Sequence, residues 1–450
     1  MAILSELLPA APPWRLRVLR DEPPRGDGEY VLYWMIGARR AHSNFALDRA
    51  IAWADALHKP LLVLEALRCD YQWASDRFHQ FVLDGMRDNA DAFARARVTY
   101  YPYLEPAPRE GRGLLEALAD RATLVVTDQS PVFDLPQLVS AATRRLRCRF
   151  EAIDGYGIVP LEAPASVFPT AYAFRRYLQR TLPEYLAQEP APEVSGRDRR
   201  VTGPLPAHVR ERWPSADTWW SLGGALSALP LNHAVGVVGA KGGSVAAAGL
   251  LATFLRNGLP RYAETRAHPD EAVTSGLSPY LHFGHISPHQ VVRGVLERES
   301  WSVARLSTKA SGAREGWWGL TPDAEAFLDQ VITWRELGGN GTRLERYTEF
   351  DTLPGWARAT LTRHTADPRP FVYTLETFAA AETHDPLWNA AQRQLVVEDP
   401  AGRHLLATAA RDGARLGVAL GDVAALDDDA AGGRIGGQHL AALEIGRAHV

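Results

Sequence analysis

Short apolar runs alternate with stretches of helical periodicity along the first third of the chain. Residues 31–36 read Val-Leu-Tyr-Trp-Met-Ile and residues 61–64 read Leu-Leu-Val-Leu, whereas residues 43–57 carry apolar side chains at helical spacing. Strands that are apolar on both faces and separated by helices form a parallel sheet covered on both sides. We therefore predict an α/β domain with a Rossmann-like parallel sheet over residues 15–160. The predicted strands are 31–36, 61–64, 98–103, 124–126 and 149–153, and the predicted helices are 43–57, 75–96, 113–121 and 135–146.

The second part of the chain loses this alternation. Residues 161–243 are predicted to connect two domains, because 187–240 is rich in Pro, Gly and charge and is suited to drape over the first domain. Within the connection, Pro183 is expected to kink or end the helix at 172–186. Residues 244–397 have apolar spacing near 3.6 and no strand alternation, which predicts an all-helical domain.

The composition is that of a globular protein with a core. Hydrophobic residues make up 46% and charged residues 23% of the 450. No run of 18 apolar residues occurs and residues 1–13 lack a basic segment, so neither a membrane span nor a secretory signal is expected. Only Cys69 and Cys148 are present, which excludes a disulfide framework and predicts a cytoplasmic protein. The net charge of −4 argues against a basic coat for nucleic acid and leaves room for a local basic groove.

The last 53 residues differ from the rest. Trp388 is the last of 41 aromatic residues, although about six would be expected at the average rate among the 62 residues that follow it. Residues 398–450 are rich in Ala and Gly and form an atypical tail without the means to build a convincing core. The residues before the tail are therefore expected to carry the function.

The most distinctive stretch is Thr274-Ser275-Gly276-Leu277-Ser278, followed by Pro279 to Pro288. Hydroxyl residues around a glycine let backbone N–H groups approach an anion closely, which suits a pyrophosphate. A helix N-cap followed by a glycine turn explains the same letters. Further along, His282, His285 and His289 lie three and four residues apart; metal ligation is conceivable, and structural histidines are favoured because no cysteine or carboxylate joins them.

Two later helices combine polar and aromatic side chains. In the first, Trp334 and Arg335 could stack on a base or on flexible nucleic acid, or could belong to an ordinary amphipathic helix. In the second, Asn389 and Arg393 lie four residues apart on one face that could hydrogen-bond a planar heterocycle. A capped core helix with Pro386 in its first turn is the alternative.

Together these stretches resemble the photolyase–cryptochrome family, most closely the class II cyclobutane pyrimidine dimer photolyases. The resemblance covers about residues 15–397, and its last three motifs are specific. The matching features are Tyr33-Trp34-Met35 with Asn44 and Ala46-Leu47, Arg77 with Gly85-Met86, Arg175-Arg176, Gln179 to Glu184, Thr274 to Ser287, Trp334 to Leu337 with Asn340, and Thr383 to Leu395.

The resemblance implies an α/β antenna domain, a helical domain that binds FAD, and light-driven repair of dimers in UV-damaged DNA by electron transfer from reduced FAD. The antenna chromophore of the first domain could be a deazaflavin or a folate, or could be absent. The protein is expected to be a monomer and to bind no metal. By similarity, the flavin ligands would be Tyr262, Thr274, Ser275, Gly276, Leu277, Ser278, Asn389 and Arg393. Gln330, Trp334 and Arg335 would face the lesion or the DNA, and Trp388 would be the electron-transfer residue nearest the flavin.

Two departures from the family pattern leave alternatives open. Gln330 stands where many members have a glutamate, and 398–450 lacks the segments that supply further flavin contacts and two more electron-transfer tryptophans. We expect a truncation or a change of reading frame near residue 398. A flavin photoreceptor without repair activity and an inactive photolyase fragment are the alternative predictions.

Overall fold

The computed structural model describes most of the chain up to residue 397. The predicted tail 398–450 lies outside the described residues and stays a prediction. The described ranges are 12–194, 197–202, 205–266, 273–344, 346–347, 349–368 and 371–397.

A six-stranded sheet forms the first half of the molecule, as the alternation of apolar runs predicts. Its strand order is β1-β6-β5-β2-β3-β4, and every neighbouring pair is parallel except β1 with β6. Five strands match the predicted runs. β1, at the edge of the sheet, was not predicted, because its sequence Leu-Arg-Val-Leu-Arg is neither apolar throughout nor strictly alternating. The strands are β1 (Leu16–Arg20), β2 (Tyr30–Met35), β3 (Leu61–Leu67), β4 (Thr99–Leu104), β5 (Ala122–Gln129) and β6 (Arg149–Asp154).

Four helices connect the strands, and the two longest begin at side-chain caps. The Asn44 side chain accepts hydrogen bonds from the backbone N–H groups of Ala46 and Leu47, and the Ser75 hydroxyl accepts one from Phe78. Such caps satisfy N–H groups that a helix start leaves without partners. The helices are α1 (Phe45–Ala56), α2 (Asp76–Arg95), α3 (Leu114–Ala119) and α4 (Leu135–Arg145).

The strand order reverses between β2 and β5, and a carboxylate organises the backbone at this point. Asp128 Oδ2 accepts hydrogen bonds from the N–H groups of Ile36, Gly37 and Ala38 at 2.9, 2.7 and 3.0 Å. Its Oδ1 accepts one from the Tyr33 hydroxyl at 2.7 Å. The loop after β2 is therefore fixed at the carboxyl edge of the sheet.

The connecting segment contains α5 (Ala171–Leu186), α6 (Ala207–Arg212) and α7 (Ala216–Ser221). Helix α5 continues through Pro183 to Leu186, so the expectation that this proline ends the helix is wrong, whereas the expected kink stays a prediction. Three residues from the helix end, the proline removes only one hydrogen bond. After α5 the chain lies on the first domain, where Val209 and Trp213 are buried in its core.

Most of the remaining helices, up to residue 341, pack around a second core, and α5 belongs to it. Phe174 of α5 is buried in one cluster with Tyr262, Leu277 and Phe327. The helices are α8 (Ser244–Thr253), α9 (Tyr262–Thr265), α10 (Ser278–His282), α11 (Pro288–Arg298), α12 (Pro322–Leu328), α13 (Arg335–Gly341), α14 (Gly355–Arg363), α15 (Leu375–Ala379) and α16 (Pro386–Val397), with wide π-helical turns at Phe254–Gly258 and Asp329–Trp334.

The fold class is confirmed as a mostly parallel sheet domain followed by a helical half. Among the described residues, no helix is both long and apolar enough to cross a membrane. Both cysteines are buried and free.

Candidate functional site

The loop before α10 alternates between the core and the surface. Val273, Ser275 and Leu277 are buried, whereas Thr274 and Gly276 are exposed. The Ser275 hydroxyl accepts a hydrogen bond from the Leu277 N–H at 3.2 Å, which holds the turn closed. Since Leu277 is anchored in the helical core, the loop presents the backbone around Gly276 outwards.

Gly276 is the position at which this loop requires a glycine. Its φ of +65° lies in the left-handed region, and a Cβ added there would meet no atom within 4 Å. Ser278, half-buried, follows at the start of α10. The open backbone of Gly276, with the exposed Thr274 and the half-buried Ser278 on either side, is a donor set that fits a pyrophosphate, so these residues fit the phosphate part of FAD.

Tyr262 lies beneath this loop as a core residue. It is 1% exposed and meets Phe254 and Phe327 edge-on, with ring centroids 5.8 and 5.3 Å apart. Burial raises the pKa of its phenol, and the guanidinium of Arg266, 5.7 Å from the ring centroid, opposes that rise. Phe327 belongs to α12 and lies in the same buried cluster as Leu277, so Tyr262 connects the loop at 274–278 with α12.

Gln330 and Trp334 lie on the wide turn between α12 and α13, and both are half-buried. Wide turns of this kind occur often at functional sites, since they change the direction of side chains along a helix. Arg335 begins α13, and its guanidinium carbon lies 4.2 Å above the Tyr156 ring. Arg335 Nη1 is buried with no hydrogen-bond partner among the described residues.

Buried carboxylates on either side hold this turn in place. Asp329 pairs with Arg175 of α5 at 2.7 Å. Glu336 accepts hydrogen bonds from the N–H groups of Ile158 and Val159 at 2.6 and 3.0 Å. Because these bonds reach α5 and the chain after β6, they orient the wide turn against the rest of the molecule.

The predicted polar face of α16 is engaged with the loop that precedes it. Asn389 Oδ1 accepts hydrogen bonds from the N–H and the hydroxyl of Thr383 at 2.9 and 2.8 Å, and Asn389 Nδ2 donates one to its carbonyl at 2.7 Å. Arg393 Nη1 donates to the Ala381 carbonyl at 3.2 Å. The structure thus shows these two side chains closing a turn, and their predicted role toward a flavin remains a prediction.

Trp388 lies in the first turn of the same helix and is half-buried. Its ring meets Phe378 edge-on at a centroid distance of 5.5 Å. Its indole N–H is buried and has no acceptor among the described residues. Near the end of α16, the Val396 carbonyl accepts a hydrogen bond from Arg77 of α2 at 3.0 Å, which ties this helix to the first domain.

The three histidines lie where the two halves meet. Gly284 packs on the Gly37 backbone, and its carbonyl accepts a hydrogen bond from Arg40 at 2.9 Å. His285 Nδ1 accepts the Gly243 N–H at 2.9 Å, and burial lowers the pKa of its ring to about 3. No group of metal-binding residues occurs in the part of the chain that the structure describes.

This contact between the domains was missed by sequence reasoning. The spacing of the histidines suggested a shared helical face. In the structure His282 is the last residue of α10, His285 lies in the loop that follows, and His289 lies in the first turn of α11. The only signal was the short sequence Phe283-Gly284-His285, in which a glycine at φ +75° permits close approach of two backbones.

Comparison with known proteins identifies the fold and the family. No protein-family model matches the chain. The fold resembles that of a bacterial class III photolyase from Agrobacterium tumefaciens, with a TM-score of 0.58 and 15% identity; the match covers 94% of this chain and 79% of that one. It also resembles a Synechocystis sp. PCC6803 cryptochrome, with a TM-score of 0.53 and 14% identity; this match covers 86% of this chain and 75% of the cryptochrome chain.

Curated relatives give the stronger result. The deoxyribodipyrimidine photo-lyase of Methanothermobacter thermautotrophicus is 29% identical over 398 residues, which cover 85% of this chain and 77% of the relative. The protein of the same name from Oryza sativa subsp. japonica is 32% identical over 404 residues, or 85% and 72% of the two chains. The chain therefore belongs to the photolyase/cryptochrome family, among relatives that are deoxyribodipyrimidine photo-lyases.

Proposed function

We propose that this chain is a class II, FAD-dependent photolyase that repairs cyclobutane pyrimidine dimers in UV-damaged DNA. The observation that carries the proposal is that Leu277 of the loop at 274–278, called the phosphate loop from here on, shares one hydrophobic core with Tyr262 and with the wide turn Asp329–Trp334. The loop at 274–278 and the wide turn, which are more than 50 residues apart in sequence, thereby pack against the same core. In this proposal the α/β half is the antenna domain, and the helical half binds the flavin.

The chain would hold the cofactor mainly through backbone and hydroxyl donors. Thr274 to Ser278 would bind its phosphates and ribityl chain, with Tyr262 supporting the loop from below, and Asn389 and Arg393 would contribute from α16. When bound, reduced FAD supplies light-driven transfer of one electron to the cyclobutane ring. The protein's own task is to position the groups and to exclude water.

Because the net charge is −4, the protein as a whole does not attract DNA, and DNA would bind at a local basic groove. A dimer within a duplex must be flipped out to reach a buried cofactor, and its weakened stacking lowers the cost of flipping. Half-buried Gln330 and Trp334 would contact the flipped lesion, and Arg335 would contact the DNA. A deazaflavin or folate antenna would belong to the α/β half. We further propose a cytoplasmic monomer, in keeping with two buried free cysteines.

Flavin binding at the phosphate loop can be tested with a matched pair of glycine variants. Gly276 and Gly223 have φ values of +65° and +67°, and both have open space where a Cβ would be added. Replacing either by alanine should cost about 1–2 kcal/mol of stability, the ordinary penalty of a left-handed residue. Only Gly276→Ala should weaken FAD binding, measured by fluorescence titration after reconstitution. Equal FAD affinity in the two variants would remove the loop from the site.

A flavin photoreceptor without repair activity is the second candidate. Gln330 favours it, because a neutral amide replaces the carboxylate that many family members have facing the lesion. If the amide of Gln330 contacts the lesion less well than a carboxylate would, Gln330→Glu should raise light-dependent dimer repair without changing FAD binding. A reconstituted chain that responds to light but repairs nothing, with either residue at this position, would favour the photoreceptor.

A further inference from the structure

Three arginines lie near the contact between the two halves of the molecule without a carboxylate partner. Arg15 and Arg40 are 1% and 3% exposed, and Arg335 is half-buried at the start of α13. No ion pair joins any of the three to an acidic side chain in the part of the chain that the structure describes. Buried guanidiniums are normally paired with a negative group, because taking a charge out of water is costly.

Within the described residues, Arg15 and Arg40 donate hydrogen bonds to backbone carbonyl oxygens alone. These oxygens belong to Ser43, Asp154, Gly157, Ile158 and Gly284. A carbonyl satisfies an N–H group but does not neutralise the charge of the guanidinium. Burial accordingly lowers the pKa of Arg15, and it lowers the pKa of Arg40 to about 10.

The carboxylates that attract these two guanidiniums act on them without direct contact. They are Asp48, Asp128, Asp154 and Glu336. Each of them accepts hydrogen bonds from backbone N–H groups. Their oxygens therefore bind the backbone rather than the arginines.

Buried donors without acceptors surround the Phe45 ring. The guanidinium carbon of Arg15 lies 4.6 Å from the ring centroid, and the His289 ring meets Phe45 edge-on at 5.2 Å. Arg15 Nε and both ring nitrogens of His289 are buried with no hydrogen-bond partner among the described residues, and so is the Ser43 hydroxyl, two positions before Phe45. Since a neutral imidazole carries one N–H, each of these three side chains has a hydrogen to donate.

Positive charge accumulates around His289. Burial and then the guanidiniums of Arg15, Arg40 and Arg335 lower the pKa of its ring well below 6.5. Arg335 also acts on Arg40 as a like charge, and its Nη1 is one more buried N–H without a partner among the described residues. The cluster thus combines several unmatched donors with uncompensated positive charge.

We propose that a small inorganic anion of halide type binds beside His289, between the two halves of the molecule. Its donors are the N–H and O–H groups of Arg15, Ser43, His289 and Arg335, with the charge of Arg40 alongside. A water molecule would bring two more hydrogens in need of acceptors, whereas a halide ion accepts from every side. The anion neutralises part of the buried charge and connects α1 with α11, so it stabilises the contact between the halves.

Bromide is the probe for the site, because it replaces chloride and scatters X-rays anomalously. The full-length protein is crystallised with bromide as the only halide. The expected result is an anomalous peak in contact with a ring nitrogen of His289 and with Arg15 Nε.

Thermal unfolding tests the same site in solution. Chloride replaces gluconate stepwise at constant ionic strength, and the unfolding midpoint should rise by about 3–5 °C for a hundredfold increase in chloride above its dissociation constant. His289→Phe keeps a ring beside Phe45 but removes both nitrogens, so it should abolish the rise. The milder Ser43→Ala should move the rise to higher chloride concentrations.

His79→Phe is the matched control. His79 is also a buried histidine, 0% exposed, whose pKa burial lowers to about 4. It stacks on Tyr71 and lies outside the cluster around Phe45. This variant should keep the chloride dependence of the parent, whatever its own stability.

Three results would overturn the inference. Density beside His289 without an anomalous signal would identify a water molecule. A midpoint that ignores chloride in the parent, or a rise of equal size in the parent and in His289→Phe, would mean an adventitious ion only. None of these measurements needs a flavin, so failure of the proposed function would leave the inference unaffected.

Discussion

Replacing Glu336 by glutamine should change how stability depends on pH, in a direction that burial fixes. Glu336 is 6% exposed, and burial, opposed by the Arg335 guanidinium, raises the pKa of its carboxyl from 4.5 to about 7. The folded state therefore binds the proton more tightly than the unfolded state. The resulting stabilisation is fully present below pH 4.5 and is lost as the pH rises through 7, a loss of about 2.5 kcal/mol between pH 5 and pH 8.

Glutamine has the same shape and does not titrate in this range. It gives up one of the two acceptors for Ile158 and Val159, at a cost of about 1–3 kcal/mol that does not vary with pH. The difference in unfolding free energy between parent and Glu336→Gln should thus shift by about 2.5 kcal/mol in favour of the variant between pH 5 and pH 8. Urea unfolding at the two pH values measures it, with exposed Glu184→Gln as the control. An identical difference at both pH values would refute the argument.

Other buried groups give three more expectations. Arg175→Met should lower the free energy of unfolding in urea by about 3–5 kcal/mol, because it leaves Asp329 buried and unpaired. Adding Asp329→Leu should restore most of the loss. Equal losses in the single and the double variant would contradict this. Burial lowers the pKa of His282 to about 4 and of His285 to about 3, so the free energy of unfolding should fall as the pH drops below 6.5. Changing both histidines to glutamine should make this fall with pH smaller in the same assay. Leu277→Ala should cost about 2–5 kcal/mol in thermal unfolding; a much smaller loss would mean that this side chain does not anchor the loop.

The parallel sheet could be predicted because its central strands are apolar on both faces, as at 31–36 and 61–64. β1 could not, since Leu-Arg-Val-Leu-Arg is short and is neither apolar throughout nor strictly alternating. Within the helical domain predicted at 244–397, the wide turn Asp329–Trp334 was not predicted, because it inserts a residue without altering the apolar spacing enough to be noticed.

The candidate site shows a similar division. The alternation of buried and exposed residues around Gly276 agrees with a turn whose backbone faces the surface. A glycine between hydroxyl residues predicts such a turn. The bonds of Asn389 to Thr383 could not be foreseen, because residues i and i+4 share a face whether that face binds a ligand or its own capping loop. The joining of the two halves at Gly284 depends on contacts between residues about 250 positions apart, beyond the reach of any local pattern.

Light-dependent repair tests the central claim most directly. The full-length chain is reconstituted with FAD, reduced, and mixed with an oligonucleotide that contains a cyclobutane pyrimidine dimer. We predict that the dimer is converted to pyrimidines under illumination and persists in the dark. A chain that binds FAD and the damaged oligonucleotide but leaves the dimer intact in the light would contradict the proposed photolyase function.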